Sequence, residues 1–246
     1  MALPTPLPVN DHKIVDRKFI LDPNVGPRRA HELTTQCSLC RRYFAACFWA
    51  GSYHGLMVGL PCHNYKLVFT DGACSNNGYA NATSGMGIVM GPVGSEYRWS
   101  IQIDDSVDPG NPRTSQRAEL LAAIHGLSLI HKEEMDMTPR FGKHPDNSSL
   151  AHRNLTFRPY PLDSKFVVVT DSQYVAEGMT AWLPRWKSNS WLNSRGERPS
   201  NLDLFLRLDL LITTLECTGI QVGFWKIGRE DNHEADSLAK AATRPS

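Results

Sequence analysis

Short runs of β-branched and aromatic residues, closed by turn residues, form the first periodic part of the chain. They occupy positions 67–69, 85–90 and 97–103, and glycine, asparagine or serine lies between them. Each run is too short for a helix, so the pattern predicts three strands. The run over 97–103 alternates polar and apolar residues, which is typical of a strand with one face in water. Because the connections are short, we expect these strands to pair antiparallel.

After these three strands, the sequence pattern predicts helices that alternate with further strands. Apolar residues at helical spacing predict a helix over 116–130, which Thr114 or Ser115 can cap. The later elements are a strand over 165–170, a helix from Ser172 toward Trp182, a helix from Leu202, a strand over 220–227 and a helix over 232–243. Pro184 is expected to bend or end the helix that precedes it.

The order of these elements predicts an α/β fold for residues 65–246. We expect a mixed five-stranded sheet, with three antiparallel strands followed by two parallel ones, and helices that flank it. The polar, proline-containing residues 132–162 are expected to form an insertion loop. Residues 1–64 are expected to be an N-terminal extension, rich in cysteine from Cys37. Its first part, about residues 1–30, should be mobile because proline and charge prevail there.

Composition and charge narrow the class of protein. The chain has 246 residues, of which 41% are hydrophobic, so it can bury a substantial core. Its formal net charge is +1 at pH 7, so a nucleic acid would have to be bound by a local patch rather than by a global basic field. The sequence has no apolar run of membrane length and no signal-peptide pattern. We expect an intracellular monomer, nuclear or cytoplasmic and not secreted, without a membrane partner.

The cysteines allow two interpretations. Six of them are scattered along the chain, which is typical of a reduced protein rather than of a disulfide scaffold. Cys37 and Cys40 form a Cys-x-x-Cys pair that can bind Zn²⁺, with Cys62 or His63 completing a tetrahedron. The downstream half has no second Cys-x-x-Cys, and the aromatic residues around Cys47 favour packing, where free cysteine acts as a small hydrophobe. Packing is therefore the favoured interpretation, and zinc is the alternative.

Two of the predicted strands end in the same way, with a carboxylate just beyond an apolar run. Asp71 follows the first strand, and Asp171 follows the strand over 165–170. If these strands are parallel, both acids lie at one edge of the sheet, where open α/β sheets bind ligands. Glu119 and Asp236 can reach the same crevice from helices. Four carboxylates without a neighbouring lysine repel one another, so hard divalent cations such as Mg²⁺ are the expected partners.

Three of these acids also have a purely structural interpretation. Asp71 with Gly72 can form a turn, and Asp171 can cap the helix that follows it. Glu119 can be a surface residue that suits the helix macrodipole. In the functional interpretation, two ions about 4 Å apart stabilise the attacking water and the leaving oxygen of a phosphodiester hydrolysis.

Five motifs in order favour the functional interpretation. They are Thr70-Asp-Gly-Ala-Cys-Ser-Asn-Asn-Gly78, Thr114-Ser-Gln-Arg-Ala-Glu119, Val169-Thr-Asp-Ser172, Trp182-Leu-Pro-Arg-Trp-Lys-Ser-Asn-Ser-Trp191 and Asn232-His-Glu-Ala-Asp236. Together they resemble type 1 ribonuclease H, the endonuclease that cuts the RNA strand of RNA–DNA hybrids. The resemblance covers about residues 65–243. It implies the ribonuclease H-like fold and an endoribonuclease that uses two metal ions.

The resemblance also assigns roles to residues of this chain. The family's catalytic, metal-binding acids correspond to Asp71, Glu119, Asp171 and Asp236. They imply two Mg²⁺ ions, with Mn²⁺ as the alternative. The residues expected to contact the hybrid are Asn77, Ser115 and Gln116 at the RNA strand, Thr114 and Asn201 at a DNA phosphate, and Trp182, Trp186 and Lys187 along the DNA strand. Short polar side chains suit 2′-hydroxyls in a wide minor groove, and Trp191 is the tryptophan expected in the core.

One loop departs from the family pattern. Family members usually carry a histidine in a glycine-rich loop before the terminal helix, whereas residues 226–232 here are a shorter connection without histidine. Arg229 or Glu230 could substitute for this histidine, and Arg229 is the better candidate. The competing hypotheses are a catalytically weak or inactive hybrid-binding protein of the same fold, and a ribonuclease H domain derived from a retroelement. The presence of all four acids favours the active enzyme.

Overall fold

The computed structural model describes residues 12–25, 28–46, 63–140 and 164–244. The strands in these residues are β1 (Lys13–Val15), β2 (Lys18–Ile20), β3 (Thr34–Gln36), β4 (Tyr43–Ala45), β5 (Tyr65–Ser75), β6 (Thr83–Val89), β7 (Arg98–Ile103), β8 (Lys165–Thr170) and β9 (Gln221–Lys226). The α-helices are α1 (Ser115–Arg140), α2 (Gln173–Glu177), α3 (Leu183–Ser188), α4 (Leu202–Cys217) and α5 (His233–Ala241).

β5 lies at the centre of a mixed sheet. It pairs antiparallel with β6, which pairs antiparallel with β7. On its other side β5 pairs parallel with β8, which pairs parallel with β9. Most residues of β8 and β9 are buried valines and aromatics, as expected for strands covered on both faces. The α/β class and the mixed arrangement of three antiparallel and two parallel strands are therefore confirmed.

The N-terminal extension adds two short hairpins to this sheet. β1 and β2 pair antiparallel and place β2 beside β9, whereas β3 and β4 pair antiparallel and place β4 beside β5. Phe19 of β2 is buried, with its ring centroid 5.5 Å from that of Trp225. Residues 12–25 thus belong to the fold and not to the mobile arm expected over residues 1–30. Strands of three residues are too short to produce a detectable period. The domain boundary at residues 64/65 stays a prediction.

α1 is longer than the sequence indicates. It continues to Arg140, past the expected start of the insertion loop at residue 132, and the rest of that expected loop lies outside the described residues. The added part is polar, but Glu134 forms ion pairs there with Arg42 and Lys66, each at 3.2 Å. Contacts with the N-terminal extension and with β5 therefore support the added part of α1, and a hydrophobic period could not have predicted it.

Pro184 does not end the helical segment that follows β8. The segment runs from Gln173 to Ser188 as α2, a π-helical turn (Gly178–Trp182) and α3. In the π-helical turn the Leu183 N–H bonds to the Gly178 carbonyl, one residue farther back than in an α-helix. Pro184 directly follows this π-helical turn, near the start of α3. The helical segment therefore continues beyond the proline.

The sheet buries one hydrophobic cluster on each face. Alternate residues of the parallel strands divide between the two clusters, since successive side chains of a strand point to opposite faces. Val68 and Val168 belong to the cluster that includes α1 and α4, whereas Leu67 and Val169 belong to the cluster that includes the N-terminal hairpins. The centre of the sheet is therefore covered on both sides, and the carboxyl ends of its parallel strands remain accessible.

Candidate active site

Asp71 lies inside β5, not at the strand's exit as the sequence suggests. The strand continues to Ser75 because it stays paired with β6, whereas its parallel pairing with β8 ends at Phe69 opposite Val169. Asp71 therefore emerges where its parallel neighbour has ended, and Asp171 immediately follows that neighbour. Both carboxylates lie at the carboxyl ends of parallel strands, the region where such sheets bind ligands.

Two glycines allow helices to approach the sheet beside Asp71. A Cβ atom on Gly72 would lie 2.2 Å from the backbone nitrogen of Glu119, so α1 contacts β5 directly near the start of the helix. Gly87 pairs with Asp71, and a Cβ atom there would lie 2.0 Å from the carbonyl oxygen of the residue before Asp236 in α5. These contacts bring Glu119 and Asp236 toward Asp71. In the sequence, these two helix–strand contacts are indicated only by a glycine inside a strand, which is typical of a place where another backbone approaches closely.

The four acids interact electrostatically at this edge of the sheet. Burial and three neighbouring carboxylates raise the pKa of Asp71 to about 7. These carboxylates, in order of effect, are those of Asp171, Asp236 and Glu119. Burial and the charge of Asp171 also raise the pKa of Glu119, against an opposing hydrogen bond from Ser172. The charged side chains with the largest effects on Asp71 are all negative, which is the charge pattern of a cation site.

Hydrogen bonds orient two of these acids. The Ser172 hydroxyl donates to Glu119 Oε2, and it accepts a hydrogen bond from the Val175 N–H at 3.2 Å. Ser172 is therefore the N-cap of α2, and the interpretation of Asp171 as that cap is wrong. The Asn232 side chain donates from Nδ2 to Asp171 Oδ1 at 2.6 Å. Ser172 and Asn232 both lie in the quoted motifs, but nothing in their spacing indicates that they orient the acids.

Two basic side chains lie beside Asp236, so the expectation of acids without a neighbouring lysine is wrong. Lys240 Nζ is 2.7 Å from Asp236 Oδ2, and Arg229 Nη2 is 3.8 Å from Asp236 Oδ1. The lysine and the aspartate are four residues apart in α5, which places them on one helix face. Both cations are more than half exposed, so these pairs contribute little stability and can be displaced.

The four acids fit a hard divalent cation. Each offers carboxylate oxygens, the ligands that Mg²⁺ prefers. Among the described residues, no three of these acids bring oxygen atoms within 4.8 Å of one another. The hydrogen bonds from Ser172, Asn232 and Lys240 direct three of the carboxylates to separate partners. The four carboxylates are thus spread along this edge of the sheet and are not closed around one point, which suits Mg²⁺ because this ion keeps several water ligands.

A cleft of about 520 Å³ opens beside Glu119 and Asp171. Gln116 lines one of its walls, from the first turn of α1. Arg229 also lines this cleft, from a short 3₁₀ turn between β9 and α5, and its side chain is 76% exposed. The residue expected to replace the family histidine therefore lies in the same cleft as two of the acids.

A second cleft, of about 180 Å³, continues from the first toward the tryptophans. It is lined by Trp182 and Trp186, and it shares Gln116 and Tyr174 with the first cleft. Trp186 is the most buried of the three tryptophans in this segment, whereas Trp191 is only partly buried. The expectation that Trp191 is the core member is therefore wrong. The cleft beside the acids and the cleft beside the tryptophans therefore adjoin at these two shared residues.

Arg117 organises the start of α1, and sequence reasoning missed it. Its guanidinium contacts both carboxylate oxygens of Asp108 at 2.8 Å, and both of these residues are buried. It also contacts Asp203 at 2.8 Å and the amide oxygen of Asn201 at 3.3 Å. Thr114 Oγ1 accepts a hydrogen bond from the Arg117 N–H at 3.3 Å, which caps α1 as expected. The two residues expected at a DNA phosphate, Thr114 and Asn201, are thus joined through one arginine.

The other expected nucleic-acid contacts are not among the residues that line these two clefts. Ser115 is the first residue of α1 and precedes Gln116. Asn77 is exposed in the turn between β5 and β6. Lys187 forms an ion pair with Asp209 at 2.7 Å and lines neither of the two clefts. Its ammonium group is therefore already paired in this conformation.

Two cysteines and a histidine lie close together near the start of β5, toward the other end of this strand from the acids. Cys37, Cys40 and His63 offer ligand atoms that all lie within 4.8 Å of one another. Cys62, the other ligand considered from the sequence, lies outside the described residues. Packing alone does not require this convergence of two thiols and an imidazole.

Sequence comparisons identify relatives of this chain. The family model RNase H matches residues 151–244. Ribonuclease H of Ruegeria sp. (strain TM1040) is 33% identical over 180 residues, which cover 73% of this chain and 91% of that protein. Ribonuclease H1 of Rattus norvegicus is 29% identical over 180 residues, which cover 73% of this chain and 50% of that protein. The chain thus spans about half the length of this mammalian relative.

A solved structure is similar as well. It is the foamy viral protease-reverse transcriptase in complex with dsDNA, with a TM-score of 0.48 and 22% sequence identity. The similarity covers 75% of this chain and 97% of that chain.

The mixed sheet and the acids at the ends of its parallel strands define the ribonuclease H-like class of α/β proteins. The assignment becomes more specific because the chain is 33% identical to a ribonuclease H and covers 91% of that protein. The chain belongs to the ribonuclease H family, as its five motifs indicate, and this family implies dependence on a divalent metal. None of the helices in the described residues is long and apolar enough to cross a membrane.

Proposed function

We propose that this chain is an endoribonuclease that hydrolyses the RNA strand of RNA–DNA hybrids. In this proposal Asp71, Glu119, Asp171 and Asp236 hold two Mg²⁺ ions, with Mn²⁺ as the alternative. The observation that carries the proposal is the environment of Asp71, whose pKa is raised to about 7 by burial and by the other three carboxylates. Such mutual repulsion disfavours the metal-free site and is relieved by divalent cations.

When bound, the cations would stabilise the attacking water and the leaving oxygen of the phosphodiester. The chain's own contribution is to fix the carboxylates before substrate arrives. Asn232 holds the side chain of Asp171 by a hydrogen bond of 2.6 Å, and the Ser172 hydroxyl holds Glu119. Such supporting hydrogen bonds orient metal ligands and affect metal affinity.

The two adjoining clefts suit a hybrid duplex. In this proposal the RNA strand crosses the acidic cleft, where the Gln116 amide can bond to a 2′-hydroxyl. The DNA strand lies toward the second cleft, where Trp182 and Trp186 can pack against deoxyribose. The Thr114 hydroxyl accepts a bond from α1, so its own hydrogen can donate to a phosphate.

Arg229 is proposed to compensate in part for the family histidine. Its side chain is exposed in the acidic cleft, and its charge lowers the pKa of Glu119 against the larger effect of burial. A guanidinium can stabilise a departing phosphate, but it cannot transfer a proton at neutral pH. Without a general acid–base group the enzyme should be slower by about 10²-fold than a relative that has one.

Incubation of the purified chain with labelled substrates tests this proposal. With Mg²⁺, the RNA strand of a hybrid should be cut, whereas single-stranded RNA and duplex DNA should remain intact. Asp71→Asn should abolish cleavage, and Asp105→Asn, which changes an aspartate that is 82% exposed outside the clefts, should not. Tight binding of the hybrid without cleavage would support the inactive binding protein instead. Comparable cleavage of all three substrates would contradict the proposed specificity.

A further inference from the structure

We infer that Cys37, Cys40 and His63 form a zinc site, separate from the acidic site and from the activity proposed above. Their two sulfur atoms and one ring nitrogen all lie within 4.8 Å of one another. In a tetrahedral zinc site, bonds of about 2.0–2.3 Å place neighbouring ligand atoms about 3.5–3.8 Å apart. Small movements of these side chains would therefore reach zinc geometry. Two thiols and an imidazole are the sulfur and nitrogen donors that zinc prefers; they leave the fourth position of the tetrahedron open and differ from the all-oxygen set of the acids.

The two cysteines lie in the turn of the β3–β4 hairpin. The Cys37 N–H bonds to the Arg42 carbonyl at 3.0 Å, and the Arg41 N–H bonds to the Cys37 carbonyl at 2.9 Å. These bonds close a compact turn, and Arg41 adopts a left-handed conformation with a φ of 56°. The turn holds both sulfur atoms toward the same point.

His63 reaches this point from a different part of the chain. It lies just before β5, and its Nε2 atom is 4.0 Å from Cys40 Sγ. Its ring is 4.2 Å, centroid to centroid, from the ring of Phe44, which belongs to β4. Aromatic packing therefore holds the imidazole over the hairpin. A metal ion would join the hairpin to the start of β5, the strand that carries Asp71.

The charges around this point favour anionic ligands. Arg42 and Lys66 are both buried, and both form ion pairs with one carboxylate, that of Glu134, at 3.2 Å. Among the described residues, Arg42 Nη2 has no hydrogen-bond partner. Lys66 pairs across the sheet with Phe44, next to His63. A zinc ion with two thiolates and a neutral imidazole has no net charge, so it adds no positive charge beside these buried cations, and its sulfur atoms can accept a hydrogen bond from one of them.

Metal analysis of the full chain, purified without a histidine tag, without chelator and under a phosphine reductant, tests the inference. We expect about one zinc per chain. The double variant Cys37→Ser/Cys40→Ser and the variant His63→Ala should lose the zinc. Cys217→Ser, which changes an exposed cysteine at the end of α4, should retain it. A chelator should lower the melting temperature of the wild type by several degrees, and Zn²⁺ but not Mg²⁺ should restore it.

Cobalt substitution of the wild type keeps the test valid where a variant fails to fold. Co²⁺ bound here should give the visible absorption of a tetrahedral site and a thiolate-to-cobalt charge-transfer band. Three results would overturn the inference: folded wild type without zinc that also gives no cobalt spectrum, zinc retained by the double cysteine variant, or thiol titration showing a Cys37–Cys40 disulfide. Because none of these readouts involves hybrid cleavage, they are independent of the proposed ribonuclease activity.

Discussion

Replacing Asp71 by asparagine should stabilise the metal-free protein at neutral and alkaline pH. In the folded protein, burial and the neighbouring carboxylates raise the pKa of Asp71 from 3.8 to about 7. A carboxyl group with a raised pKa favours folding while it is protonated, and this stability is lost as the pH rises from the unfolded to the folded pKa. Above pH 7 the wild type must therefore fold around an ionised and crowded carboxylate, whereas the variant carries a neutral amide of similar shape.

The size of the effect follows from the change in pKa. One pKa unit corresponds to about 1.4 kcal/mol, so a rise from 3.8 to about 7 lowers the free energy of unfolding by about 4 kcal/mol at pH 8. At pH 5 the same relation gives a loss of less than about 2 kcal/mol. The free energy of unfolding of Asp71→Asn, relative to that of the wild type, should therefore increase by about 2–3 kcal/mol from pH 5 to pH 8. Because Asp71 remains partly exposed, solvent screening makes these figures upper bounds.

Urea unfolding of both proteins in a chelator, at several values of pH, measures this difference. Asp105→Asn is the matched control, and it should change the free energy of unfolding by less than about 1 kcal/mol at every pH. Added Mg²⁺ should stabilise the wild type more than the Asp71→Asn variant, because the cation binds the native carboxylates. Two results would contradict this prediction. One is that Asp71→Asn is no more stable than the wild type at pH 8, and the other is that it is more stable by the same amount at pH 5.

Three further changes test separate parts of the structure. Gly72→Ala should lower the free energy of unfolding in urea by about 1–3 kcal/mol or more, because its Cβ atom would lie 2.2 Å from backbone atoms of α1. Arg117→Ala should lower it by about 3–5 kcal/mol, because the change leaves the buried Asp108 carboxylate without its arginine partner. Arg229→Ala should slow hybrid cleavage by about tenfold at an unchanged urea midpoint, because its guanidinium is exposed in the cleft.

Each of these expectations has a contrary outcome. Wild-type stability of Gly72→Ala would show that α1 does not approach β5 as closely as described. If Arg117→Ala is no less stable than Asp105→Asn, the arginine does not organise the start of α1. An unchanged cleavage rate for Arg229→Ala would remove its role as a substitute for the family histidine.

The central sheet was predictable because each of its strands is a local pattern. The valine-rich run of β8 and the apolar start of β5 indicate buried strands without reference to other segments. Asp171 directly follows such a run, and Glu119 lies near the start of a helix, just after its first turn, so both acids have positions that the sequence reveals. The predicted position of Asp71 at the exit of its strand was wrong, since the sequence does not show that β5 continues along β6 after β8 has ended.

The missed features depend on contacts between distant segments. The extension of α1 is supported by the ion pairs of Glu134 with Arg42 and Lys66, and no helical period announces such pairs. The β1–β2 hairpin is held by its place beside β9, not by a pattern of its own. The convergence of His63 on the β3–β4 hairpin likewise depends on the packing of β4 against β5.

The central claim is that the four carboxylates form the divalent-metal site at which RNA in a hybrid is hydrolysed. Its most direct test is single-turnover cleavage of a hybrid with labelled RNA by the wild type, Asp171→Asn and Asp105→Asn, each verified as folded. In Mg²⁺ the wild type and Asp105→Asn should cleave at equal rates, and Asp171→Asn should be at least about 100-fold slower, because it lacks a metal ligand. In chelator none of the three should cleave. Cleavage by Asp171→Asn at the wild-type rate, or cleavage by the wild type in chelator, would contradict the claim.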